Sequence, residues 1–147
     1  MDKVVWIALA LLGGCFLPIQ GAFNARLAAA GSSPIHASLI SFVVGTAALA
    51  VYVVVTRQTV SWAGLAAAPW YAWMGGFLGA VALSAIIVTF PKLGPGFAFG
   101  LIIAGQLIAS VTLEHFDILV AEAHPISFLR IAGIALVVVG VVLIRAF

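Results

Sequence analysis

The chain has 147 residues, of which 65% are hydrophobic and 7% charged, with a formal net charge of +2; its mean hydropathy is +1.33. Soluble domains carry about 25% charged residues, so a water-facing surface is excluded over most of the chain and hydrocarbon is its solvent. The small net charge, with no basic run and no interleaving of basic and aromatic residues, excludes a nucleic-acid partner, and the single cysteine, Cys15, excludes an intrachain disulfide.

A membrane span needs about 20 mostly apolar residues, and the charges punctuate this chain at that spacing. The first expected span covers residues 4–28, with no charge between Lys3 and Arg26. Within it Leu12-Gly13-Gly14-Cys15 loosely resembles a lipoprotein cleavage box. The apolar run continues past it to Phe23 and lacks an A-x-A cleavage site, so no cleavable signal is expected and Cys15 reads as a helix residue. The segment from Ala30 through Gly31, Ser32 and Ser33 to Pro34 reads as a turn, and the second span covers 35–56, stopping at Arg57-Gln58. Val60 to Ala68 is a short connector with Trp62 at headgroup depth. The third span covers 69–91, with Pro69 in its first turn and Trp70, Tyr71 and Trp73 as an aromatic belt. The run from Pro91 to Gly96 reads as a breaker, and the fourth span covers 96–114, with Glu114-His115-Phe116-Asp117 closing it or lying just beyond. Glu122-Ala123-His124-Pro125 opens the fifth, over 125–146. The uncharged stretch from Ile131 to Ile144 is too short to cross ~30 Å of hydrocarbon at ~1.5 Å per residue. Arg130 therefore belongs to the span, either snorkelling to the headgroups, pairing with Glu114 or Asp117, or lining a cavity mouth.

The resulting fold class is all-α: a polytopic membrane protein with five spans in one domain. Lipid gives helices no hydrophobic reason to associate, so close backbone approach matters. The third span carries Gly75-x-x-x-Gly79 beside Ala72, Gly76, Ala80 and Ser84, and the fourth carries Gly96, Gly100 and Ala104. Both present small-residue faces, suited to ordinary helix packing or to a dimer contact.

Polar side chains inside the spans point to a site. Gln20 and Asn24 stand four apart, so both amides share one helix face, and Gln106 lies near the middle of the fourth span. Left in hydrocarbon, each amide costs free energy. They bond neighbouring helices or line a solute cavity, with Ser38 and Ser41 as weaker candidates because hydroxyls often bond their own helix carbonyls. Phe16, Trp73 and Phe99 are candidates for an apolar or aromatic wall. Asp2 is terminal, and Glu114, Asp117 and Glu122 cluster around the last connection; Glu114 is the nearest candidate for ion coupling, against the plainer reading of a solvated loop acid. The pattern contains no nucleotide loop, metal-ligand cluster or nucleophile–base arrangement, and His36, His115 and His124 fall near expected helix ends. Neither a cofactor nor a metal is expected, nor an enzyme.

Orientation follows the excess of Lys and Arg on cytoplasmic loops. With five spans, Lys3, Arg57 and Arg130 fall on the side of the N-terminus and Arg26, Lys92 and Arg145 on the other, three against three. A balanced count suggests insertion both ways, which allows two copies to pair as an antiparallel homodimer. Many transporters are built from two inverted repeats with the substrate between them, and an odd number of spans per chain suits that design.

The ordered set of motifs resembles the YdcZ-like, small five-helix branch of the drug/metabolite transporter superfamily. The likeness runs over nearly the whole chain: Gln20-x-x-x-Asn24 followed by Leu27, then Pro34, Ser41-Phe42-x-x-Gly45 and Gly75-Gly76-x-x-Gly79-Ala80. It continues through Pro91-x-Leu93-Gly94, Gly105-Gln106-Leu107, Pro125-Ile126-Ser127, Arg130-x-x-Gly133 and Val139-Gly140-Val141. The resemblance implies a ten-helix transport unit of two five-helix halves, and an inner (plasma) membrane location in a bacterium. The chain departs from the family pattern at Glu114-His115-Phe116-Asp117, where an acid stands in place of glycine. The small multidrug exporters of the superfamily use a glutamate in their first helix; this first span has none, so cation/proton exchange of that kind is not implied.

The expected function is secondary transport of a small organic solute, neutral, zwitterionic or lipid-like, in a cavity near the bilayer midplane. The alternatives are a non-transporting membrane subunit packed against a partner, and a pore.

Overall fold

A computed structural model describes residues 3–31, 33–120, 122 and 124–147; the expectations placed on Asp2, Ser32 and Ala123 lie outside them. Every regular element among the described residues is helical: α1 (Lys3–Gly31), α2 (Pro34–Val55), α3 (Trp62–Ala66), a 3-10 turn (Trp70–Trp73), α4 (Met74–Leu93), α5 (Pro95–His115) and α6 (Phe128–Ala146). Among these residues, five helices are long and apolar enough to cross a membrane, the third being the 3-10 turn continued by α4. Very few of their apolar side chains are buried, and the many exposed Val, Leu, Ile and Phe side chains form the surface that lipid covers.

The boundaries follow local chemistry. Ser33 caps α2, its hydroxyl accepting from the His36 N–H at 3.3 Å, and Pro34 takes the first helical position. Pro69 differs from the expectation: it is extended (φ −63°, ψ 149°) and precedes the 3-10 turn instead of sitting inside a helix. Pro91 also differs. The α4 helix runs through it to Leu93, and Gly94 (φ +80°) makes the break before Pro95 opens α5. A proline inside a helix forfeits one backbone bond, which a membrane helix tolerates. The last span starts three residues later than expected, at Phe128, because Ser127 caps it by accepting from the Arg130 N–H at 3.4 Å. Its 19 residues make a rod of about 28 Å at ~1.5 Å per residue, with Arg130 in the first turn.

Two helix ends carry a left-handed residue where glycine is usual. After α2, the Gln58 N–H reaches the Val53 carbonyl (3.1 Å) and the Arg57 N–H the Val54 carbonyl (3.2 Å), with Arg57 at φ 51°. After α5, the Ile118 N–H reaches the Leu113 carbonyl (2.9 Å), with Asp117 at φ 54°. Both are αL terminations that satisfy the last carbonyls. The acid at 117 therefore leaves the turn intact and places strain on it. Asp117→Gly should raise stability by about 0.5–1 kcal/mol, read as a higher unfolding midpoint in detergent with unchanged helix content.

The chain divides into two compact units, Met1–Pro91 and Lys92–Phe147. In the first, α1 and α2 lie together and α4 packs on both. Its buried centre is small: Ala28, Ala37, Leu83 and Ile87. A Cβ on Gly21 of α1 would meet the Phe90 ring at 2.8 Å and Ile86 at 2.9 Å, so only glycine admits α4 there. In the second unit α5 and α6 pair, and a Cβ on Gly100 would stand 2.7 Å from a Val141 methyl. The space at Gly96 is easier, 3.6 Å from Ile144, and at Gly79 it is 3.4 Å from the Phe42 ring. A Cβ at Gly75 or Gly76 would meet nothing within 4 Å, so that stretch of α4 is open.

Candidate functional site

In the first unit, Gln20 and Asn24 project from one face of α1 onto the same hydroxyl. The Asn24 Nδ2 donates to Ser41 Oγ at 3.1 Å and the Gln20 Nε2 reaches the same atom at 3.4 Å. Asn24 is buried, Ser41 half-buried and Gln20 exposed. One hydroxyl carries a single proton and two lone pairs, so two amides that meet it cannot both accept from it. At least one donates, and its carbonyl oxygen is left for another donor. This cluster satisfies the buried Asn24 while leaving hydrogen-bonding capacity at the Gln20 edge.

A groove of about 210 Å³ opens beside that edge, lined by Gln20, Ser41, Phe42, Gly45, Thr46 and Leu49. A second groove, about 230 Å³, is lined by Ile35, Ser38, Leu39, Phe42, Ala80 and Ser84. The hydroxyls of the second groove are engaged: Ser38 Oγ donates to the Pro34 carbonyl at 3.1 Å and lies 2.9 Å from Ser84 Oγ, which donates to it. The first groove is therefore polar at one edge and the second largely apolar. Among the described residues, no ionised side chain lines either.

The remaining candidates lie elsewhere. Phe16 and Trp73 are exposed and line neither groove. Gln106 and Phe99 belong to the second unit, Gln106 exposed on α5 and Phe99 buried. Phe42 and Thr46 escaped the sequence reading. Phe42 is an aromatic in an apolar span, and periodicity alone gives it no distinction. Thr46 could have been found by its place four residues after Phe42, on the same helix face.

The second unit holds an ion pair. The Arg130 guanidinium of α6 bonds the Glu114 carboxylate of α5 and also donates to the His124 carbonyl at 2.8 Å. The His124 N–H in turn donates to the Glu114 carbonyl at 3.2 Å, and the Ile126 N–H to the His115 ring nitrogen Nδ1 at 3.2 Å. Of the sequence alternatives for Arg130, pairing with Glu114 is the observed one. The connection is thereby stitched to the end of α5 and the start of α6. Among the described residues, no group of three or more His, Cys, Asp or Glu could hold a metal ion.

Residues 5–143 match the family described as "Putative inner membrane exporter, YdcZ". No curated protein and no solved structure matches the chain.

Proposed function

The chain belongs to the YdcZ family of inner-membrane exporters, an integral membrane protein in contact with lipid, and on that premise we propose that it exports a small organic solute held by the Gln20–Asn24–Ser41 cluster. The observation that carries this reading is the meeting of two span-embedded amides on one hydroxyl at the edge of an open groove. Helix pairing alone would be served by one amide. Here the buried Asn24 fixes the Ser41 hydroxyl, while Gln20 and Ser41 line the groove, a surface suited to recognising a solute by hydrogen bonds. The working unit is an antiparallel homodimer in which one chain supplies each five-helix half, and rocking of the halves alternates access. The balance of three basic residues against three supports it. Glu114, tied to Arg130, is assigned to holding α5 and α6, with ion coupling at this carboxylate as the second role it could serve.

In proteoliposomes, Gln20→Ala and Asn24→Ala should each lower solute flux at least about tenfold, the effect of ~1.4 kcal/mol lost from the transport step. Unchanged flux in both variants would remove the cluster from the site. A reporter fused after Phe147 should be found on both sides of the membrane; finding it on one side alone defeats the single-chain antiparallel dimer.

A further inference from the structure

Among the described residues, Phe42 is the one that lines both of these grooves: with it in the first lie Gln20, Ser41 and Thr46, in the second Ile35, Leu39 and Ala80. Behind the ring is Gly79, where an added Cβ would already stand 3.4 Å from the ring's Cζ. The ring thus occupies space that a larger residue on α4 would take, and it is not clamped there, because Phe42 keeps 38% of its surface exposed.

Size makes the partition matter. Pockets for drug-sized ligands run from about 300 Å³ upward. Neither groove reaches that alone, at about 210 and 230 Å³; together they exceed it. The chemistry of the two halves differs as well. The first offers amide and hydroxyl groups with unspent donors and acceptors. The second offers hydrocarbon and two hydroxyls already bonded to each other and to a helix carbonyl. With no ionised group in either, a charged solute would lose its hydration without a counter-charge, at a large cost in free energy.

We propose that Phe42 is the specificity-determining partition of the site, and that the site takes an uncharged amphiphile, its hydrogen-bonding end at Gln20 and its apolar end against Phe42. The proposal rests on the assignment of the Gln20 cluster as the solute site. With the ring as observed, the apolar end is limited to roughly one ring. With the ring removed, the second groove joins the first and a longer apolar end fits.

Binding of benzamide, 2-naphthamide and benzylammonium to the full chain in lipid nanodiscs, corrected against empty nanodiscs, tests this. Wild type should bind benzamide at least tenfold more tightly than 2-naphthamide, with benzylammonium weaker than benzamide. Phe42→Ala should close or reverse the gap between the two amides. Phe42→Leu, which keeps bulk at lower risk to folding, should preserve it. Gly79→Leu, driving the ring towards the polar groove, should weaken benzamide. A ratio of the two amides unchanged in Phe42→Ala overturns the partition. Benzylammonium binding as tightly as benzamide overturns the uncharged class, and no binding of either amide by wild type overturns both. If the size ratio responds to Phe42 while Gln20→Ala and Asn24→Ala leave flux intact, the partition stands and the transport assignment of the amides falls.

Discussion

Gly100→Leu should lower the stability of the second unit by about 1–3 kcal/mol or more, the cost of forcing volume into a packed contact. A Cβ at position 100 would stand 2.7 and 2.9 Å from the two Val141 methyls and 3.3 Å from the Val141 Cβ. The last of these atoms cannot rotate away, so α6 must shift. Because α5 and α6 have no hydrophobic drive to stay together in lipid, close approach along their length, beside the Glu114–Arg130 ion pair at their ends, is what holds them. Thermal unfolding in nanodiscs reads the loss, and Val141→Ala in the Gly100→Leu background should recover part of it. Gly105→Leu, on the same helix but with nothing within 4 Å of its Cβ, should change stability by less than about 0.5 kcal/mol. Equal losses at 100 and 105 would mean that helix propensity or insertion, and not the α5–α6 contact, is being measured.

The second large effect should come from the Glu114–Arg130 pair. Both side chains are part-exposed, 30% and 27%; removing either partner leaves the other charge without its counter-ion at the membrane-spanning helix ends, whereas removing both leaves two neutral groups. Arg130→Gln and Glu114→Gln should therefore each lower the yield of monodisperse protein and its melting temperature, and the double variant should be more stable than either single one. Arg130→Gln should be the worse of the two, because the guanidinium also donates to the His124 carbonyl and its loss frees the connection as well as the carboxylate. A double variant as unstable as the sum of the single ones would show two independent groups. Arg130→Lys should fall between, since an ammonium offers a point charge without the fork that spans Glu114 and His124.

Membrane burial made most of the fold legible. Each span is an apolar run with charges or prolines only near its ends, a signal that composition carries without knowledge of packing. The ends were less legible, because they are decided by single capping bonds. Ser127 accepting from Arg130 N–H starts α6 at Phe128, and Gly94, not Pro91, ends α4, since a helix in lipid keeps a proline that a helix in water would drop. In the site, the four-residue spacing of Gln20 and Asn24 gave their common face directly. Their meeting at Ser41 depends on how α1 and α2 approach, with the small buried residues Ala28 and Ala37 in the core there, and sequence periodicity does not encode that. Phe42 stood in the Ser41-Phe42-x-x-Gly45 motif without a place in the site, for the same reason: its role arises from lining a groove on each side, a property of three helices together. The tight glycines, Gly21 and Gly100, look in sequence like the open ones, Gly75 and Gly76; only the neighbour's position distinguishes them.

Arg57 ends α2 with its backbone at φ 51°, a conformation that glycine would hold with less strain. Membrane insertion, however, responds to the Lys and Arg of the short loops, and there a guanidinium counts and a hydrogen atom does not. Arg57→Gly would ease the finished turn and leave two basic residues against three. For the antiparallel homodimer proposed above, the strain of this turn is what an even count of cations would cost: a charge kept for insertion at a position where the folded corner favours a bare hydrogen.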